Sequence, residues 1–149
     1  ERDLEKGLIN NIRDFLLELG SGFAFMGSQY KLTVGDEDFF IDLLFYHTRL
    51  RAYVVLELKA GKFLPEYAGK MGFYLAAIDN QIKHSSDNPS IGLILCQSNN
   101  KLIVEYALQG TTKPIGVSGY RVTENLPKEL EKELPSVEQL QSILIDYVS

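Results

Sequence analysis

One cysteine in 149 residues leaves no partner for an internal disulfide and suits a reducing compartment. That residue, Cys96, sits in the apolar run 91–96, where a free thiol behaves as a small buried apolar group. No apolar run approaches the ~20 residues of a membrane-spanning helix. The start has no charged, then apolar, then small-residue pattern of a secretory signal. Internal repeats and low-complexity tracts are also missing. These absences describe a single globular domain, 1–149, expected in the cytoplasm and away from membranes. The chain also lacks an excess of positive charge. Its net charge of −5 argues at first against a nucleic-acid partner.

The charge is unevenly spread. Residues 45–85 hold six Lys or Arg against three Asp or Glu, and residues 120–149 hold three against six. A basic middle and an acidic tail leave room for phosphate contact without requiring it. The chain opens on Glu1, with helical periodicity under way by Leu4. This predicts a domain cut from a longer protein, whose N-terminal partner domain is absent here.

Leu8, Ile9, Ile12, Phe15, Leu16 and Leu19 form one stripe, predicting an amphipathic helix over 4–19 that Gly20 ends. Residues 28–34 alternate weakly and read as a strand. Gly35-Asp36 then turns the chain into a hairpin partner over 38–46. A third strand covers 52–59, and Gly61 breaks it. Pro65 opens a helix over 65–83 with Tyr67, Met71, Tyr74, Leu75 and Ile78 on one side. The continuous apolar run 90–97 predicts a strand covered on both faces. Asn100 and its neighbours cap a helix near 100–109, and 114–120 reads as a fifth strand. Two helices are expected in the tail, near 127–133 and 136–148. The order predicts an α/β fold: a mixed central sheet flanked by helices, with extra C-terminal helices.

Two carboxylates stand out inside apolar strands. Asp42 interrupts the run 38–46, and Glu57 lies near the end of the next, followed by Leu58 and Lys59. A carboxylate in a core strand is costly to desolvate unless a cation or hydrogen bonds compensate it. Alternation puts Glu57 and Lys59 on one face, roughly 7 Å apart. It likewise assigns Phe40, Asp42, Leu44 and Tyr46 to one face. If the strands pair, Asp42 and Glu57 meet across the ladder, and a divalent cation would relieve their repulsion. Glu5 is in phase with the buried stripe of the first helix and could reach such an ion through water. It equally suits the positive end of that helix. A structural ion pair is the bland alternative for Asp42, Glu57 and Lys59. Arg49, Arg51 and Lys62 flank the acids in sequence and could touch backbone phosphates, or serve as solvated turn charges. His47 reads as a strand-end residue.

This series resembles the PD-(D/E)XK nuclease superfamily, whose pattern is an acid on the first helix, an Asp on the second strand and acid-x-Lys on the third. Ile41 stands where that pattern has proline. The stretches 41–47, 57–63, 65–69 and 88–95 look like the C-terminal nuclease domain of YhcG-type proteins, over about residues 4–120. The resemblance implies a restriction-endonuclease-like αβββαβ core and Mg2+- or Mn2+-dependent cleavage of DNA. By it, Glu5, Asp42, Glu57 and Lys59 are catalytic. Asp42, Glu57 and the Leu58 carbonyl hold the ion, and Lys59 positions or activates the attacking water. Many relatives carry a glutamine and a tyrosine four apart on the following helix. Lys70 and Tyr74 hold those places here, so Lys70 is expected to contact phosphate, with Tyr67 nearby. Two other functions stay open: a non-cutting nucleic-acid-binding module, and an assembly domain. For the latter, Val137, Leu140, Ile143, Leu144 and Tyr147 could pack on a second copy.

Overall fold

A computed structural model describes residues 22–117, apart from the side chains of Ala60 and Gln97. The helices expected over 4–19, 127–133 and 136–148, and Glu5 with them, lie outside the described residues. Within 22–117 the order is β1 (Phe23–Val34), β2 (Glu37–His47), β3 (Ala52–Lys62), α1 (Pro65–Gln81), β4 (Ile91–Ser98), α2 (Lys101–Leu108) and β5 (Ile115–Val117). One five-stranded sheet runs β1-β2-β3-β4-β5.

The first three strands form an antiparallel meander. Gly35 (φ 56°) and Asp36 (φ 65°) make the two-residue turn between Val34 and Glu37. Both residues are left-handed, and that hand matches the twist of the flanking strands. α1 and α2 then carry the chain back, so β4 runs parallel to β3 and β5 parallel to β4. Parallel neighbours on both sides explain why residues 91–96 of β4 are all buried.

Pro65 starts α1, where its missing N–H leaves nothing unsatisfied. Met71, Tyr74, Leu75 and Ile78 are buried on one stripe of that helix. They pack on Ile41, Leu44, Val55, Ile94, Val104 and Ile115, each burial contributing about 2 kcal/mol. The helix comes close because β4 has a glycine beneath it. A Cβ at Gly92 would lie 2.6 Å from Met71 Sδ. Asn100 caps α2, its Oδ1 accepting the Leu102 and Ile103 N–H groups at 3.0 and 3.3 Å. Cys96 is buried in the core, and burial pushes its thiol up to about 11.

Three expectations shift. β1 starts at Phe23 rather than 28, because Phe23 and Phe25 pack their rings on Phe45 of β2 and extend the pairing. β3 passes through Gly61 to Lys62, with a register irregularity after Lys59 before Lys62 pairs with Ser98. α1 ends at Gln81 rather than 83.

Candidate active site

Regular pairing of β2 with β3 runs from His47↔Ala52 to Leu43↔Leu56. One step further, Asp42 would face Glu57, and there side chains replace the ladder. The Asp42 N–H donates to Glu57 Oε2 at 2.7 Å, and the Leu58 N–H donates to Asp42 Oδ2 at 2.8 Å. Each carboxylate thus takes an amide of the opposite strand. A hydrogen bond to a charged acceptor is worth about 1.5–3 kcal/mol, enough to offset the lost ladder bonds.

The same point breaks the alternation of β2. Ile41 and Leu44, three apart, both belong to the core under α1. The four residues Phe40, Asp42, Leu44 and Tyr46 therefore do not share one face as strict alternation predicts. Phe40 is instead 49% exposed. β1 switches faces at the matching place. Its register pairs Ser28 with Leu43 and Tyr30 with Ile41, which leaves Gln29 across from Asp42. Gln29 has a φ of 48°. A Cβ built at Gly27 would come within 3.3 Å of the Tyr30 ring, showing that positions 27 and 30 lie on one side. The Gln29 side chain donates Nε2 to Asp42 Oδ1 at 3.2 Å.

Glu57 is buried, with 5% of its surface exposed, whereas Asp42 is half-buried. Burial and the neighbouring Asp42 charge push the Glu57 carboxyl up to about 7, although the Asp42 N–H, Lys59 and Lys70 all favour its charged form. The described residues contain no group of three metal-binding side chains, so Asp42 and Glu57 stand as a pair.

α1 lies over this pair. The Lys59 ammonium sits 4.8 Å from the centre of the Tyr67 ring, and that of Lys70 sits 5.7 Å from the Tyr74 ring. Tyr74 is buried, and its hydroxyl donates to the Phe40 carbonyl at 3.4 Å. Burial, then the charges of Glu57 and Asp42, push that hydroxyl up to about 12, so it stays protonated and serves as a donor. Lys70 is exposed, one turn before Tyr74, with its ammonium acting on Glu57. Lys62 is exposed at the end of β3. The buried Leu58 contributes its N–H to the lock on Asp42.

Arg49 and Arg51 do not flank the acids in space. They occupy the turn between β2 and β3, and six extended positions separate Arg51 from Glu57, about 20 Å. Arg51 Nη2 instead reaches the Ser86 carbonyl at 3.4 Å. Arg49 lines a separate cleft of about 600 Å3 with Asp79, Ser90 and Lys113. His47 is buried at the end of β2, and its Nδ1 accepts the Leu50 N–H at 3.2 Å. Sequence reasoning missed Gln29. Its type and place in a weak strand carry no signal, and its role appears only once the register sets it against Asp42.

Comparison with known proteins places the chain in a family. The chain is 41% identical over 134 residues to YhcG of Escherichia coli (strain K12). That match covers 90% of this chain but only 36% of the relative, so the chain spans about a third of that protein's length. A repair endonuclease from Pyrococcus abyssi shares the fold, with a TM-score of 0.56 at 16% identity over 80% of this chain and 47% of that one. The YhcG PDDEXK nuclease domain model matches residues 1–135, so this chain belongs to that nuclease-domain family.

Proposed function

We propose that this domain hydrolyses phosphodiester bonds of DNA with a divalent cation, Mg2+ or Mn2+, held between Asp42 and Glu57. The observation that carries this reading is the break between β2 and β3. Two carboxylates are fastened there by each other's strand, with one pushed up to about 7. A fold gains nothing from burying like charges side by side unless a third species completes them. Hard oxygen donors of this kind fit Mg2+ or Mn2+, which take carboxylates together with waters and phosphate oxygens.

When bound, such an ion polarises a phosphoryl oxygen and lowers the pKa of a coordinated water. The residues of the chain do the rest. Asp42 and Glu57 hold the ion, with the Leu58 carbonyl and Glu5 as further contributors. Lys59 orients the attacking water or donates to the phosphorane as negative charge develops. Tyr67 packs against the Lys59 ammonium and limits its wandering. Lys70 and Lys62, both exposed, take backbone phosphates, and Tyr74 remains a neutral donor beside the acids.

The test is cleavage of supercoiled plasmid in Mg2+ or Mn2+ against a chelator control. Asp42→Ala should cut at least about 10³-fold more slowly, the equivalent of several kcal/mol of charge stabilisation. It should still bind DNA, since it removes a negative charge. Cleavage that survives chelation, or an Asp42→Ala protein that cuts at the wild-type rate, would refute the proposal.

A further inference from the structure

We infer that Gln29 is a positioning residue that sets the orientation of Asp42 for the divalent ion. The inference rests on the metal-binding reading of Asp42 above. Three independent features of β1 converge on it. The register leaves Gln29 as the residue across from Asp42. Its side-chain amide donates to Asp42 Oδ1 at 3.2 Å while the Leu58 N–H takes Oδ2 at 2.8 Å. Its backbone sits at φ 48° in the middle of a twelve-residue strand.

The left-handed conformation argues against a bystander. A glutamine there costs about 1–2 kcal/mol that glycine would avoid. If the face switch of β1 were the whole purpose, glycine would serve better. Glutamine supplies what glycine cannot: a neutral donor with the reach to touch a carboxylate on the next strand. Neutrality matters because a lysine or arginine at this place would satisfy Asp42 by itself and compete with the ion. An amide fixes one oxygen through one of its lone pairs and leaves the charge intact. With both Asp42 oxygens pinned by neutral N–H donors, the carboxylate cannot rotate away when the ion departs. Supporting contacts of this kind are typically worth 10–100-fold in metal affinity or activity.

Mn2+ titration calorimetry on the full protein tests the idea with Gln29→Gly and Gln29→Asn. Gln29→Gly relieves the backbone and removes the amide. Gln29→Asn tolerates the left-handed region but falls a methylene short of Asp42. Both variants should bind Mn2+ about 10-fold more weakly, while Gln29→Gly melts no lower than wild type in chelator. A purely structural role would give the reverse, a changed melting temperature with unchanged Mn2+ affinity. If wild type binds Mn2+ and both variants match it, the positioning role is wrong and the nuclease reading stands. If wild type binds no Mn2+, the metal reading fails and takes this inference with it.

Discussion

Asp87 and Glu57 both bear carboxylates on polar contacts to the sheet, and the fold treats their charges in opposite ways. Asp87 lies in the loop after α1. The Tyr46 hydroxyl donates to it at 2.6 Å and the His84 N–H at 3.0 Å, and these donors hold its carboxyl below the usual range. Glu57 has one amide donor, is buried and faces a second carboxylate, so its carboxyl rises to about 7. Asp87 is partly exposed, and its loop is tied to the turn between β2 and β3. Asn88 Nδ2 donates to the Leu50 carbonyl at 2.7 Å, and the Leu50 N–H donates to His47. The acid pair is different, because the fold positions it without neutralising it. Two environments in one fold thus separate a carboxylate held ionised by its donors from one pushed toward its neutral form.

Beyond Asp42 itself, the largest expected effect sharpens that division at Lys59. Lys59→Ala should lower kcat by about 10²–10³-fold, as when a single transition-state donor is removed, with far less change in Mn2+ affinity. Calorimetry that showed the two falling together would merge Lys59 with the acid pair proposed to hold the ion and undo the assignment.

Next in size is the pH response of Glu57. Its native carboxyl binds protons more tightly than the unfolded one. Between about pH 4.5 and 7 the native state therefore carries more protons, and stability falls as pH rises. The loss is bounded at about 3 kcal/mol. In chelator at pH 8, Glu57→Gln should melt higher than wild type, and at pH 4 the two should nearly coincide. Added Mn2+ should raise the wild-type melting temperature and leave the variant almost unmoved. For the same reason Mn2+ affinity should weaken as pH drops through about 7, where protons compete for the site. Parallel pH–melting curves for the two proteins would show that Glu57 carries no such load.

The smallest effect belongs to Asp87. Its lowered carboxyl contributes stability above the unfolded pKa, and that contribution disappears as pH falls through the native one. Asp87→Asn should lower the melting temperature slightly at pH 7 and not at all in strong acid. Cleavage and Mn2+ binding should stay at wild-type values. A loss of either would break the contrast between the two carboxylates.

Much of the fold was legible because local chemistry and tertiary packing agree. Gly35-Asp36 can make a tight hairpin turn, Pro65 can start a helix, and 91–96 is apolar enough to lie between parallel neighbours. The pairing of Asp42 with Glu57 was legible too, since antiparallel strands of this spacing bring them opposite. The face of Phe40 was misread because alternation presumes an unbroken strand, and Asp42 and Gln29 break both strands at one level. Arg49 and Arg51 were misplaced because nearness in sequence says nothing about the length of the intervening strand. An extended chain carries a residue over 3 Å per step away from the site.

Residue order alone determined which groups can bear the chemistry: two carboxylates in apolar strands, a lysine two places on, and a helix with Lys70 and Tyr74 one turn apart. These follow from side-chain type and local periodicity. Only the folded sheet decided that β2 parts from β3 at Asp42, that β1 turns left-handed beside it, and that Gln29 rather than an arginine reaches the acid. Register between strands is a long-range property, set by how the core packs, and it becomes visible only when the strands lie side by side.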